Sequence, residues 1–122
     1  MKDASKLTES ELRHFTGTEN WYRHPLNRKV FFSDGAKHVA DHGGAYWLLD
    51  IIACAQRYDK RVAATRFQVW KLSVGPGRKG LVICENGNRK LVCRQCLEFT
   101  DFPIPEIMLW FANGVIYLPS EH

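Results

Sequence analysis

The chain has no long hydrophobic run, no internal repeat, no low-complexity tract and no second C-x-x-C to complete a metal site. Its longest apolar stretch, 45–55, is about half of what spans a bilayer, and Asp50 interrupts it, so no membrane partner is expected. The opening MKDASKLTESEL lacks the apolar core of a secretory signal, which implies a cytoplasmic protein with reduced thiols. Cys54, Cys84, Cys93 and Cys96 then read as small, mostly buried residues and not as two disulfides. No G-x-S-x-G is present, and no cysteine sits in a protease context. The expected catalytic set is therefore none.

What is present suits one folded domain, 1–122. At 122 residues, 45% hydrophobic and 25% charged, the chain holds one core and is not disordered. Charge is unevenly placed. Residues 55–95 carry ten of the 17 Lys/Arg against Asp59 and Glu85 alone, a balance of +8 in a chain of net +4, which leaves −4 elsewhere. Such asymmetry steers an acidic partner, either an acidic protein surface or a nucleic acid. The candidate partner-binding residues are Arg57, Lys60, Arg61, Lys71, Arg78, Lys79, Arg89, Lys90 and Arg94. The competing reading is that these are the solvated turns of hairpins, where Lys and Arg commonly sit.

Periodicity predicts an α+β fold. Thr8-x-x-Glu11 reads as a capping box opening a helix that stops before Gly17. NWYRH and KVFFS form a hairpin around Pro25 and Asn27. Ser33 or Asp34 caps a short helix ended by Gly43-Gly44. The longest helix runs 45–58, with Leu48, Ile51, Ile52 and Ala55 as its stripe and Trp47, Cys54 and Tyr58 widening it. Strand 67–74 alternates, placing Trp70, Leu72 and Val74 on one face. In the next hairpin a three-residue loop, Asn86–Asn88, sets Ile83 opposite Leu91 and Leu81 opposite Cys93, facing inward, with Lys90 and Arg94 in water. Another Asn-Gly at 113–114 makes a last hairpin; a helix over 105–112 is the rival reading. The sum is an antiparallel sheet of about five to seven strands with a central buried helix and two shorter helices. Trp47, Leu48, Ile51, Ile52 and Trp70 are its expected core.

Several strings imitate functional motifs. Gly75-Pro-Gly-Arg-Lys-Gly80 matches G-x-G-x-x-G, but strands flank it and Pro76 removes a donor, so it is a turn and no cofactor is expected. Cys93 and Cys96 lie three apart on a strand, pointing to opposite faces, so no metal is expected there. His38 and His42 share a helix face, the spacing of a metal pair, without a third ligand in view. Asp50 on the apolar helix is either a structural acid or, with Tyr46 one turn before it and His42, the seed of an active site. Aromatics interleave with basics at 21–24 and 67–71, as in RNA-stacking surfaces, but no RNP-like string accompanies them.

FTGTENWYRHPLNRKVFFSDG, HGGAYWLLD, FQVWKLSV and TDFPIPEIMLWFANGVIYLPSE, taken in order, cover most of the chain. They resemble an uncharacterised bacterial family, a domain of unknown function found in small stand-alone proteins often carried on plasmids and phages. The resemblance implies a single domain and transfers no catalytic residue. Carriage on mobile elements implies a small non-enzymatic binding protein, an inhibitor of a host defence system. A nucleic-acid-binding accessory protein using the basic segment is the alternative. An enzyme centred on Asp50 ranks third.

Overall fold

The computed structural model describes residues 7–122; the Met1–Lys6 part of the polar N-terminus lies outside them. After a single-turn helix α1 (Glu9–Leu12) come a hairpin, β1 (Trp21–Arg23) and β2 (Phe31–Ser33), and three helices, α2 (Asp34–Gly43), α3 (Tyr46–Tyr58) and α4 (Lys60–Ala63). The rest is strand: β3 (Gln68–Val74), β4 (Gly80–Asn86), β5 (Leu91–Leu97), β6 (Glu106–Ala112) and β7 (Val115–Tyr117). They form one seven-stranded sheet, ordered β1-β2-β7-β6-β3-β4-β5. All pairs are antiparallel except β2 with β7, the only parallel pair among the described residues. The expected α+β class and strand count hold, and 106–112 is strand.

Local chemistry explains the helix ends. Ser33 Oγ accepts the Ala36 N–H at 3.1 Å, and Gly44 ends α2 in the left-handed region with φ 59°. Asp59, one of the two acids among the basic residues of 55–95, caps α4 by accepting the N–H groups of Arg61 and Val62. That four-residue helix was absent from the sequence reading, since one turn carries too little periodicity to register. α1 stops at Leu12, well before Gly17. Thr8 donates its hydroxyl to the Glu11 carboxylate at 2.9 Å, so the two side chains of the expected box bond to each other and Thr8 caps no backbone group.

The core lies between the helices and one sheet face. Leu48, Leu49, Ile52 and Ala53 of α3 are buried with Trp70, Leu72, Val82, Cys84, Ile107, Leu109, Phe111 and Ile116. The predicted stripe is thus rotated: Ile51 and Trp47 are half-buried and Tyr58 is 78% exposed. The β4–β5 register also departs from expectation. Cys84 faces Cys93, Ile83 faces Arg94, Leu81 faces Cys96, and Glu85 faces Leu91 across a bulge. β3 decides this. It pairs Trp70 with Cys84 and Leu72 with Val82, which sends Val82 and Cys84 inward and leaves Leu81 and Ile83 on the outer face. The turn adapts through Asn86, whose Oδ1 accepts from the N–H groups of Asn88 and Lys90, with Arg89 at φ 66°.

From edge strand β5 the chain crosses the end of β4 and β3 to reach β6, and Arg78 fastens that crossing. Its Nε donates to the Thr100 carbonyl at 3.1 Å and its Nη2 to the Phe102 carbonyl at 2.6 Å, while Thr100 N–H returns to the Arg78 carbonyl. The ring of Phe102 is fully buried against Gly43, where a Cβ would meet it at 2.8 Å.

Candidate functional site

Strand register places the basic residues. Gln68 pairs with Asn86, so the start of β3 and the β4–β5 turn share one end of the sheet. A buried amide network brings the helices to that end. Gln68 and Gln56 exchange hydrogen bonds at 2.7 and 2.9 Å, and Gln68 Nε2 also donates to the carbonyls of Val62 and Thr65. Its Oε1 accepts Trp70 Nε1–H as well, so every polar atom of this buried side chain is satisfied. Arg57, Lys60, Arg61, Arg66, Arg89 and Lys90 therefore gather at one end. Two acids stand among them: Asp59, which caps α4 and also lies 3.8 Å from Arg61 Nε, and Glu85 at the end of β4, so part of this charge is offset.

Lys71 and Arg94 extend this basic end along the outer sheet face, in one row with Ile83 between them. Lys71 Nζ sits 3.2 Å from Glu85, which offsets part of its charge, whereas Arg94 is exposed. Arg78 and Lys79 lie at the opposite end, and the Arg78 guanidinium is committed to the crossing loop. Arg57 is directed to the Leu26 carbonyl at 3.4 Å. Of the nine predicted residues, Lys60, Arg61, Arg89 and Lys90 thus lie at one end of the sheet, and Lys71 and Arg94 lead from that end along the outer face.

Beside this basic end a cleft of about 390 Å³ opens between α3 and β5. Ile51, Cys54, Ala55 and Tyr58 form its helix wall; Trp70, Val82, Cys93 and Gln95 form its floor; Asp59 and Arg94 stand at its rim. Burial pushes the Cys84 thiol up to about 12, helped by Cys93 across the strand pair, and burial raises Cys93 too. Both stay protonated at neutral pH, so neither is a ready nucleophile. Among the described residues no three His, Cys, Asp or Glu side chains are grouped to hold a metal ion.

The rival active site is not assembled. Asp50 Oδ1 accepts His24 Nε2–H at 2.8 Å, and His24 Nδ1 accepts the N–H groups of Leu26 and Asn27. Both ring nitrogens of this buried histidine are committed, and the pair ties α3 to the β1–β2 loop. Asp50 itself is half-exposed, contrary to a buried acid. Tyr46 bonds to Asp41, not to Asp50. His38 is held by Glu11 at 2.9 Å and stacks near His42, so the i, i+4 pair is spent on packing. The aromatics read as base-stacking candidates divide: Trp21 is exposed, while Phe67 packs edge-on against Trp110.

A family model described as a family of unknown function, DUF6876, matches residues 6–122. The chain belongs to this family. Searches of curated proteins and of solved structures find no match for this DUF6876 member. Two features of the site were missed in the sequence: α4, which carries Lys60 and Arg61, and the groove wall of α3. For the second a signal existed, because the helix has more apolar positions than one buried stripe can use.

Proposed function

We propose that this DUF6876 member is a non-enzymatic binding protein that inhibits or modulates a macromolecule by covering an acidic surface with its basic end. The observation that carries this reading is the gathering of Lys60, Arg61, Arg89 and Lys90, from segments far apart in sequence, where Asp59, paired with Arg61, offsets only part of their charge. A field of one sign beside an apolar cleft is the arrangement of an interface: charge guides encounter and apolar contact holds the complex. An acidic protein is the favoured partner, because the adjoining cleft is lined mostly by apolar and thiol side chains. A role against a host defence system is the process we attach to this activity, from the resemblance alone. A nucleic-acid partner is the alternative, supported by the outer-face row through Lys71 and Arg94.

The test is affinity capture from extract of the encoding cells, with and without nuclease, using wild type and the Arg61→Glu/Arg89→Glu/Lys90→Glu variant. A protein captured in both arms and lost on charge reversal supports the reading. Loss on nuclease treatment, with steep salt sensitivity, establishes the alternative. Capture unchanged by the triple reversal refutes the basic-end assignment.

A further inference from the structure

Helix α3 carries two apolar stripes. Leu48, Leu49, Ile52 and Ala53 are buried in the core. Trp47, Ile51, Cys54, Ala55 and Tyr58, spaced i, i+4, i+7, i+8, i+11, lie along a second face that the core covers only in part: Trp47, Ile51 and Ala55 pack against it half-buried, and Tyr58 is exposed. That face borders β5 along its length. The cleft described above joins Ile51 to Tyr58 with Cys93 and Gln95, and a second hollow of about 350 Å³ joins Trp47 to Leu97 and Phe99. Three of the exposed large apolar side chains belong to this seam or the strand beside it: Tyr58 at 78%, Phe99 at 66% and Leu91 at 53%.

Among the described residues the strand beside the seam is the last in the sheet, so one row of its backbone N–H and C=O groups has no strand partner there. β5 has seven residues and no proline, whereas the other edge, β1, has three. A long edge without proline is a template for an added strand, and side chains of such a strand alternate between the two sheet faces. On the helix face they would meet Ile51, Ala55 and Tyr58; on the outer face they would meet Arg94, with Lys90 and Arg89 at the strand's start.

We propose that the seam between α3 and β5 receives an extended segment of an acidic protein, which adds an eighth strand to the sheet. Its sequence alternates apolar residues, seated under α3, with acidic residues against Arg94 and the basic end. Such a segment is the partner class for the binding reading above, on which this proposal rests. A second copy of this chain fits less well. Antiparallel self-pairing about the middle of β5 sets Arg94 directly against its own copy, a destabilising like-charge pair.

The probe is a phage-displayed library of random dodecapeptides panned on the full chain, followed by binding of one enriched synthetic peptide and, separately, of an oligo-dT strand. Enriched peptides are expected to alternate apolar and acidic residues, and the bound peptide to slow hydrogen exchange at Leu91–Leu97. Ala55→Glu and Gln95→Pro should each weaken it at least tenfold. Tyr58→Ser, at an exposed position, should weaken it severalfold with an unchanged melting temperature, which separates docking from folding. The proposal is overturned if no alternating peptide is enriched, if exchange slows elsewhere, or if oligo-dT gives the same protection. A concentration-dependent dimer abolished by Gln95→Pro also overturns it, giving the edge to a second copy. If captured partners are lost on reversal of Arg61, Arg89 and Lys90 but withstand Ala55→Glu and Tyr58→Ser, the seam proposal alone fails and the binding reading stands.

Discussion

The two halves of the sheet are held together by different means. The β1-β2-β7-β6 half is built of mostly short strands and is closed by side chains that reach across long sequence separations. Glu121 is the clearest case: its carboxylate accepts from Ser33 Oγ at 2.6 Å and from the N–H groups of Gly35 and Leu118. An acid from the C-terminal turn thus sits on the N-terminus of α2, where the helix dipole favours negative charge. Asp34 does similar work, accepting from the N–H groups of Glu19 and Asn20 and from the Tyr22 hydroxyl. The β3-β4-β5 half needs no such ties, because seven-residue strands joined by tight turns supply a continuous backbone ladder. Its charged side chains are consequently freer to meet a partner. Polar groups in one half hold the fold; in the other they face outward. Exceptions include Arg78, Gln68, Asn86 and the Lys71–Glu85 pair.

The largest effect should come where both halves meet, on the buried stripe of α3. Ile52→Ala should cost about 2–5 kcal/mol in denaturant unfolding, and Ile51→Ala, half-buried at the seam, clearly less. Equal losses would show that α3 has no second, open face. Next, Glu121→Ala should cost about 1–3 kcal/mol, since it leaves Gly35 N–H and Ser33 without their partner. A melting curve unmoved by that change would dissolve the contrast between a tied half and a laddered one.

A smaller, pH-dependent effect belongs to the tied half. The Glu19 N–H, with the Tyr22 hydroxyl and Asn20 N–H, holds the Asp34 carboxyl below its usual range against the pull of desolvation. A depressed folded pKa contributes stability that is present above the unfolded pKa of about 3.9 and is lost as pH falls through the folded value. The melting-temperature gap between wild type and Asp34→Asn should therefore be full above about pH 5 and shrink in stronger acid. A gap independent of pH would contradict it. The smallest stability change is expected in the open half: Arg89→Glu with Lys90→Glu should alter unfolding by no more than about 0.5 kcal/mol while slowing association with an acidic partner. A large destabilisation would mark these residues as structural.

The hairpin turns and the Ser33 cap were legible because their signals are local. Asn113-Gly114 adopts φ 53° and 79°, the paired positive values that an Asn-Gly turn supplies, and Ser33 caps α2 as its position predicts. The α3 stripe was misjudged because periodicity shows how wide an apolar face is, not how much of it the core will cover. The β4–β5 register was misjudged because a hairpin read in isolation omits the third strand. Of the site, the charge balance was legible, but its geometry was not.

The sequence by itself determined the α+β class, most of the elements and the +8 balance of residues 55–95, because turn chemistry, periodicity and charge are properties of short segments. Only the tertiary structure decided which face of α3 is buried and that β5 is an edge. It also decided that Asp50 is spent on His24 and that Arg78 fastens a loop while Lys60, Arg61, Arg89 and Lys90 converge. Those outcomes depend on strand order and register, which are set by contacts between segments distant in the chain and leave no mark within any one of them.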